Sequence, residues 1–124
     1  MRILIYSNGS KSSEEAALRG FELAGHLKAD VIVLHTVKST SEISLREARS
    51  ALTRLEELGK KMGVKVDGRV REGAAKDLIL KASEENLVDL IVLGGRDGAL
   101  RTRVFESLVE SVVRNSRCSV LVVK

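Results

Sequence analysis

Asp89-Leu90-Ile91-Val92-Leu93-Gly94-Gly95 is a short apolar run that opens on an acid and closes on two glycines. It is too short for a helix and too continuously apolar for a strand with one wet face, so it reads as a strand covered on both sides. Strands of that kind need helices above and below them, and the same unit should therefore recur along the chain, alternating with helical periodicity. It does. Arg2 to Ser7 and Asp30 to His35 are two more buried runs, and Cys118 to Lys124 is a fifth strand. Val64 to Val70 alternates apolar with polar or small residues, which predicts a strand with one face partly exposed, placed at an edge.

Four helical patterns fill the intervals. The first runs from Ser12, with Ser12 to Glu15 as a capping box, to about Leu27; Ala17, Phe21 and Ala24 share one face, with Leu23 and Leu27 beside them. The second is the longest, with Leu45, Ala48, Leu52, Leu55 and Met62 inward and Gly63 as its stop. The third spans Ala75 to Asn86 with Leu78, Ile79 and Ala82 inward. A polar loop from Arg96 to Arg103 precedes the fourth, whose stripe is Phe105, Leu108, Val109 and Val112.

Alternation of this kind forces parallel pairing through right-handed crossovers and gives an α/β domain with helices on both faces of a five-stranded parallel sheet. Two strand orders satisfy the pattern, 2-1-3-4-5 and 3-2-1-4-5, and the half-exposed third strand favours the second. Either order places a ligand crevice beyond the carboxyl ends of the strands; for 3-2-1-4-5 it lies between strands one and four.

The length of 124 residues fits a single domain over residues 1–124, without disulfides or a structural metal. A hydrophobic share of 44% with no apolar run near the ~20 residues that span a bilayer predicts a soluble protein with no membrane partner, and the stretch Met1 to Tyr6, which enters a strand directly with no secretory pattern, predicts a cytoplasmic one. Cys118 is the only cysteine and sits in an apolar strand, where a buried inert thiol is expected. The net charge of +4 invites a nucleic-acid reading, but Asp and Glu are interspersed with Lys and Arg and only three aromatic residues are available for stacking, so no nucleic-acid partner is expected.

Five blocks in order along nearly the whole chain resemble the universal stress protein family. They are Ile3 to Ser10, a hydrophobic strand followed by Asn-Gly-Ser; Val33 to Val37; Glu72 to Ile79; Asp89 to Gly98; and Val112 to Val123. The resemblance implies a three-layer α/β/α arrangement of order 3-2-1-4-5, of the Rossmann-like, adenine nucleotide alpha hydrolase-like kind. It also implies a homodimer in which the last strands of two protomers pair. Val120, Leu121, Val122 and Val123 are the interface residues; an apolar last strand with unpaired backbone groups is an aggregation liability unless something covers it.

Nucleotide-binding members of that family carry Gly-x2-Gly-x9-Gly followed by Ser or Thr, whose glycines let backbone N–H groups approach phosphates. Here Gly95-Arg96-Asp97-Gly98 matches the first half, but only seven residues follow before Glu106-Ser107, and Glu106 stands where the third glycine belongs. A carboxylate there repels an anion. Asn8 also replaces the family's Asp at the nucleoside end. The motif is degenerate, and the resemblance thus marks a nucleotide crevice built from Asn8, Gly9, Ser10, Val37, Gly95, Arg96, Gly98 and Ser107, with Arg96, Arg101 or Arg103 compensating for the lost glycine.

The expected function is a non-enzymatic, dimeric stress-response module that engages a protein partner and binds ATP weakly or not at all. The alternative is an adenine-nucleotide sensor for AMP, or for ATP with magnesium, with at most slow hydrolysis. No metal-ligand spacing is evident, no catalytic residue is assigned, and neither His26 nor His35 has a Ser, Cys or carboxylate nearby in the arrangements that nucleophilic catalysis uses.

Overall fold

Strand and helix alternate from the first residues to the last, as the hydrophobic pattern predicts. The computed structural model describes residues 1–95 and 103–124, and side chains over 1–95 and 107–124. In chain order the elements are β1 (Arg2–Ser7), α1 (Lys11–Leu27), β2 (Asp30–Val37), α2 (Glu42–Lys61), β3 (Val66–Glu72), α3 (Ala75–Glu85), β4 (Leu90–Gly94), α4 (Arg103–Asn115) and β5 (Ser119–Val123). The strands pair in parallel in the order β3-β2-β1-β4-β5, so the partly polar third strand is indeed an edge.

Side chains of a strand alternate between faces, and the sheet accordingly divides the core in two. Ile3, Ile5, Val31, Val33 and Val92 pack with Ala17, Phe21, Leu52 and Leu55 under α1 and α2. Leu4, Tyr6, Ile32, Leu34, Ile91 and Leu93 pack with Ile79 and Val112 under α3 and α4. The predicted partners Leu78, Ala82, Leu108 and Val109 are partly buried against that second cluster, while the side chain of Phe105 lies outside the described residues. Cys118 is half-buried rather than buried, and burial pushes its thiol above the ordinary value.

Several details differ from the sequence reading. The cap of α1 is Ser10, not Ser12: Ser10 is extended (φ −77°, ψ 160°) and its Oγ accepts from the N–H of Ser13, whereas Ser12 already lies inside the first turn. Leu27, Leu45 and Met62 are exposed rather than inward. Leu27 sits in the last turn of α1, Leu45 in the first turn of α2 and Met62 just past its end, so all three fall at helix ends. The third strand begins at Val66 rather than Val64, because the N–H of Val64 is held by the carbonyl of Gly59 in the exit from α2. That exit passes through Gly63 at φ +77°, a left-handed turn that suits glycine.

Candidate functional site

The register of β1 on β2 sets the chemistry of the crevice. Ser7 lies directly opposite His35, at inward positions that continue the rows Ile3, Ile5 and Val31, Val33. Opposed residues of parallel strands share a face, so the two polar side chains meet: Ser7 Oγ is 3.1 Å from His35 Nδ1. Both are buried, at 1% and 5% exposure. Burial pushes the imidazole below its ordinary value, which keeps it neutral near pH 7.

Beyond Ser7 the chain turns through Asn8, Gly9 and Ser10 into α1. Gly9 adopts φ +83°, and its N–H donates to Ser7 Oγ at 3.4 Å. The N–H of Ser10 donates to Asn8 Oδ1 at 2.9 Å, and Ser10 Oγ accepts from Ser13 to cap the helix. The side-chain oxygens of Asn8 and Ser10 are therefore engaged in forming the turn. What Asn8 still offers outward is its amide N–H group, a donor.

These residues form the floor of a cavity of about 570 Å³ between the carboxyl ends of β1 and β2 and the overlying α2. Val37, Ala48, Ala51 and Leu55 make its apolar wall. Lys38, Arg46 and Arg54 line the cavity together with Glu14 and Glu47, and Arg46 also pairs with Glu42 at 3.4 Å. Arg54 Nη1 reaches Glu14 Oε2 at 3.3 Å and so ties α2 to α1 across the opening. The hydroxyl-rich start of α2 joins the lining through Ser44, whose N–H donates to the cap Ser41 Oγ at 3.2 Å.

Of the residues singled out from the sequence, Asn8, Gly9, Ser10 and Val37 are brought together here. Gly95 is not in this lining; its N–H donates to the Val123 carbonyl at 2.6 Å, and a Cβ on it would stand 3.0 Å from Val122 Cγ1. Ser107 is exposed on α4, in a shallow depression of about 220 Å³ with Glu110, Ser111 and Arg114. Arg96, Gly98 and Arg101, and the side chains of Arg103 and Glu106, lie outside the described residues.

Sequence reading missed the Ser7–His35 pair and the roof supplied by α2. The signal was present as polarity at strand positions whose predecessors of the same parity are all apolar. His26, by contrast, is exposed in the last turn of α1, as a solvated histidine should be. Among the described residues no cluster of three His, Cys, Asp or Glu side chains could hold a metal ion, and no helix is long and apolar enough to cross a membrane.

Comparison with known proteins converges on one family. The model of the universal stress protein family matches residues 1–124. A universal stress protein of Methanocaldococcus jannaschii is 30% identical over 139 aligned positions, covering 99% of this chain and 81% of that one. Among solved structures, the universal stress protein UspA from Lactobacillus plantarum superposes with a TM-score of 0.90 at 19% identity, covering 100% of this chain and 97% of that one. A universal stress protein solved in complex with cAMP superposes with a TM-score of 0.83 at 23% identity, with the same coverage of 100% and 97%.

Proposed function

The chain belongs to the universal stress protein family, and from that membership we propose that it is a stress-response module whose cavity between β1, β2 and α2 holds an adenosine monophosphate, cyclic or open, without turning it over. The observation that carries this reading is the cavity. Its volume of about 570 Å³ lies inside the range of roughly 300–1,000 Å³ typical of small-molecule sites. Its wall is apolar where a heterocycle would lie, and its mouth is ringed by Lys38, Arg46 and Arg54 where a phosphate would emerge. The cAMP complex of a structural neighbour supports the choice of ligand class.

A firm grip on a triphosphate is not part of this reading. The N–H of Gly95, the donor at the strand end that a phosphate chain would use, is already held by Val123. In sequence, Glu106 occupies the place of the third glycine. The Ser7 hydroxyl, 1% exposed between Gly9 and His35, serves as a link between strands and not as a nucleophile.

We further propose a homodimer through β5. The N–H of Ser119 and the carbonyl of Val123 both bond toward β4, so in a parallel ladder the backbone groups of Leu121 point the same way and those of Val120 and Val122 point to the open edge. A second copy of the strand satisfies those groups.

Calorimetric titration tests the ligand assignment. AMP or cAMP should give a saturable isotherm, whereas ATP with magnesium should give no saturable heat at micromolar protein. An ATP isotherm tighter than that of the monophosphates would sink the proposal.

A further inference from the structure

We propose that His35 is a specificity-determining residue of the cavity, its Nε2–H donating to an acceptor nitrogen of the bound heterocycle. The inference rests on the monophosphate reading above and goes beyond it to the atom that selects the ring. Its first step is the tautomer. Ser7 Oγ accepts the N–H of Gly9 and lies 3.1 Å from His35 Nδ1. Were Nδ1 protonated, the Ser7 oxygen would accept twice and its own hydrogen would need another acceptor. Ser7 is 1% exposed, and no other partner is present among the described residues. A buried hydroxyl hydrogen does not go unpaired, so Ser7 donates to Nδ1 and the neutral ring carries its proton on Nε2.

The second step is where Nε2 points. Nδ1 makes the ring's hydrogen bond to protein, and among the described residues no side-chain nitrogen or oxygen shut off from solvent lacks a partner. Nε2, which has no protein partner among the described residues, is thus not shut off from solvent, and this residue, 5% exposed, lines the cavity. The Cε1 edge of the same ring lies near Gly9, where a Cβ would stand 3.6 Å away, so the absence of a side chain at position 9 keeps that edge open.

The third step is what kind of atom Nε2–H meets. The cations of the mouth are exposed, with Arg46 and Arg54 side chains at 77% and 65%. They take the charged end of a ligand. His35 sits at the inner end beside Val37 and Leu55, where an anion would be stripped of water. A neutral, in-plane ring nitrogen is the acceptor that fits there. A ligand with carbon at that place leaves a buried donor unpaired, and the site discriminates against it by roughly tenfold, the worth of one such hydrogen bond.

The test combines ligand and residue changes on the full chain. AMP and its deaza analogues, each with one ring nitrogen replaced by CH, are titrated into the wild type and into His35→Asn, which keeps a group to meet Ser7 and removes the Nε2 donor. One analogue should bind the wild type about tenfold more weakly than AMP, and that difference should vanish in His35→Asn. A role confined to packing would weaken AMP and the analogue alike and leave their ratio unchanged. Nitrogen chemical shifts of the imidazole in ligand-free wild type, which do not depend on the variant folding, should show the Nε2–H tautomer. An Nδ1–H tautomer, equal binding of all analogues to the wild type, or a ratio that persists in the variant overturns the assignment of His35 alone. Failure of AMP to bind the wild type overturns the monophosphate reading and this one with it.

Discussion

Two strands lie on each side of β1, and the two pairs are finished differently. On one side β2 pairs with β1 over six positions and runs on to Val37, so its end rises above β1 and becomes a wall of the cavity. On the other, β4 meets β1 over three positions and stops at Gly94, directly beneath the first turn of α1. The outer strands differ as well. β3 carries Asp67, Arg69, Arg71 and Glu72, while β5 is Ser119 followed by Val-Leu-Val-Val. Among the described residues, one half of the sheet is open at its top and charged at its edge; the other has the first turn of α1 over the end of β4 and an apolar strand at its edge. The difference matches the two proposals above, a ligand on the β2 side and self-association on the β5 side.

Each half has a glycine where a helix comes close, and these two glycines offer the strongest way to break the comparison. A Cβ on Gly94 would lie 2.6 Å from Ser12 Oγ and 2.9 Å from the Ser12 carbonyl oxygen, so backbone must move. The nearest atoms to a Cβ on Gly68 would be those of the Leu52 side chain, at 2.9 Å, and that side chain can change rotamer. Gly94→Ala should therefore destabilise by about 1–3 kcal/mol, and Gly68→Ala by about 1 kcal/mol or less. Urea unfolding midpoints at unchanged slope measure both. Equal costs would show that the β4 end is no more tightly closed than the β3 end.

The bare edge comes next. Val122 turns its backbone groups away from β4, so Val122→Pro removes an outward N–H and leaves the bonds to β4 in place. If β5 pairs with its copy, this variant should raise the dimer dissociation constant by about a hundredfold, or about 2.7 kcal/mol, while keeping the wild-type circular dichroism. Sedimentation at graded concentrations reads the change. A monomeric wild type, or a variant that dimerises as well as the parent, would remove self-association from the β5 side.

The asymmetry was legible only in part from the amino acids. Apolar runs and helical stripes reveal the elements, and the alternating polarity of Val66 to Val70 reveals an edge, because both are local consequences of which face is wet. A stripe does not say where along its helix the packing stops, and so Leu27, Leu45 and Met62, at the helix ends, read as inward when they are exposed. Gly95 drew attention as half of a glycine motif, but the partner of its N–H is Val123, at the far end of the chain. Ser7 and His35 are 28 residues apart and meet only through the register of β1 on β2. Composition carries no trace of a register, and the polar floor of the cavity is a register effect.

The guarded edge gives the smallest effect and the sharpest contrast in kind. Arg69 Nη2 bonds Asp67 Oδ2 at 2.8 Å and Nη1 bonds Asn86 Oδ1 at 3.2 Å, so the guanidinium lies over β3 toward the end of α3, with its side chain 28% exposed. The bond to Asp67 raises its pKa further, and the charge is permanent at any working pH. A partly exposed pair of this sort is worth about 0.2–1 kcal/mol. Arg69→Val removes that and adds a good strand former, so the net loss of stability should stay below about 1 kcal/mol. Its consequence should appear in association instead, because a charge on an edge strand prevents pairing that valine permits. On heating, Arg69→Val should scatter light at lower temperature than Arg69→Lys, although the two unfold at similar denaturant concentrations. Indistinguishable scattering would mean that the charges of β3 are solvated ornaments, and that what distinguishes the two edges is the apolar character of β5 by itself.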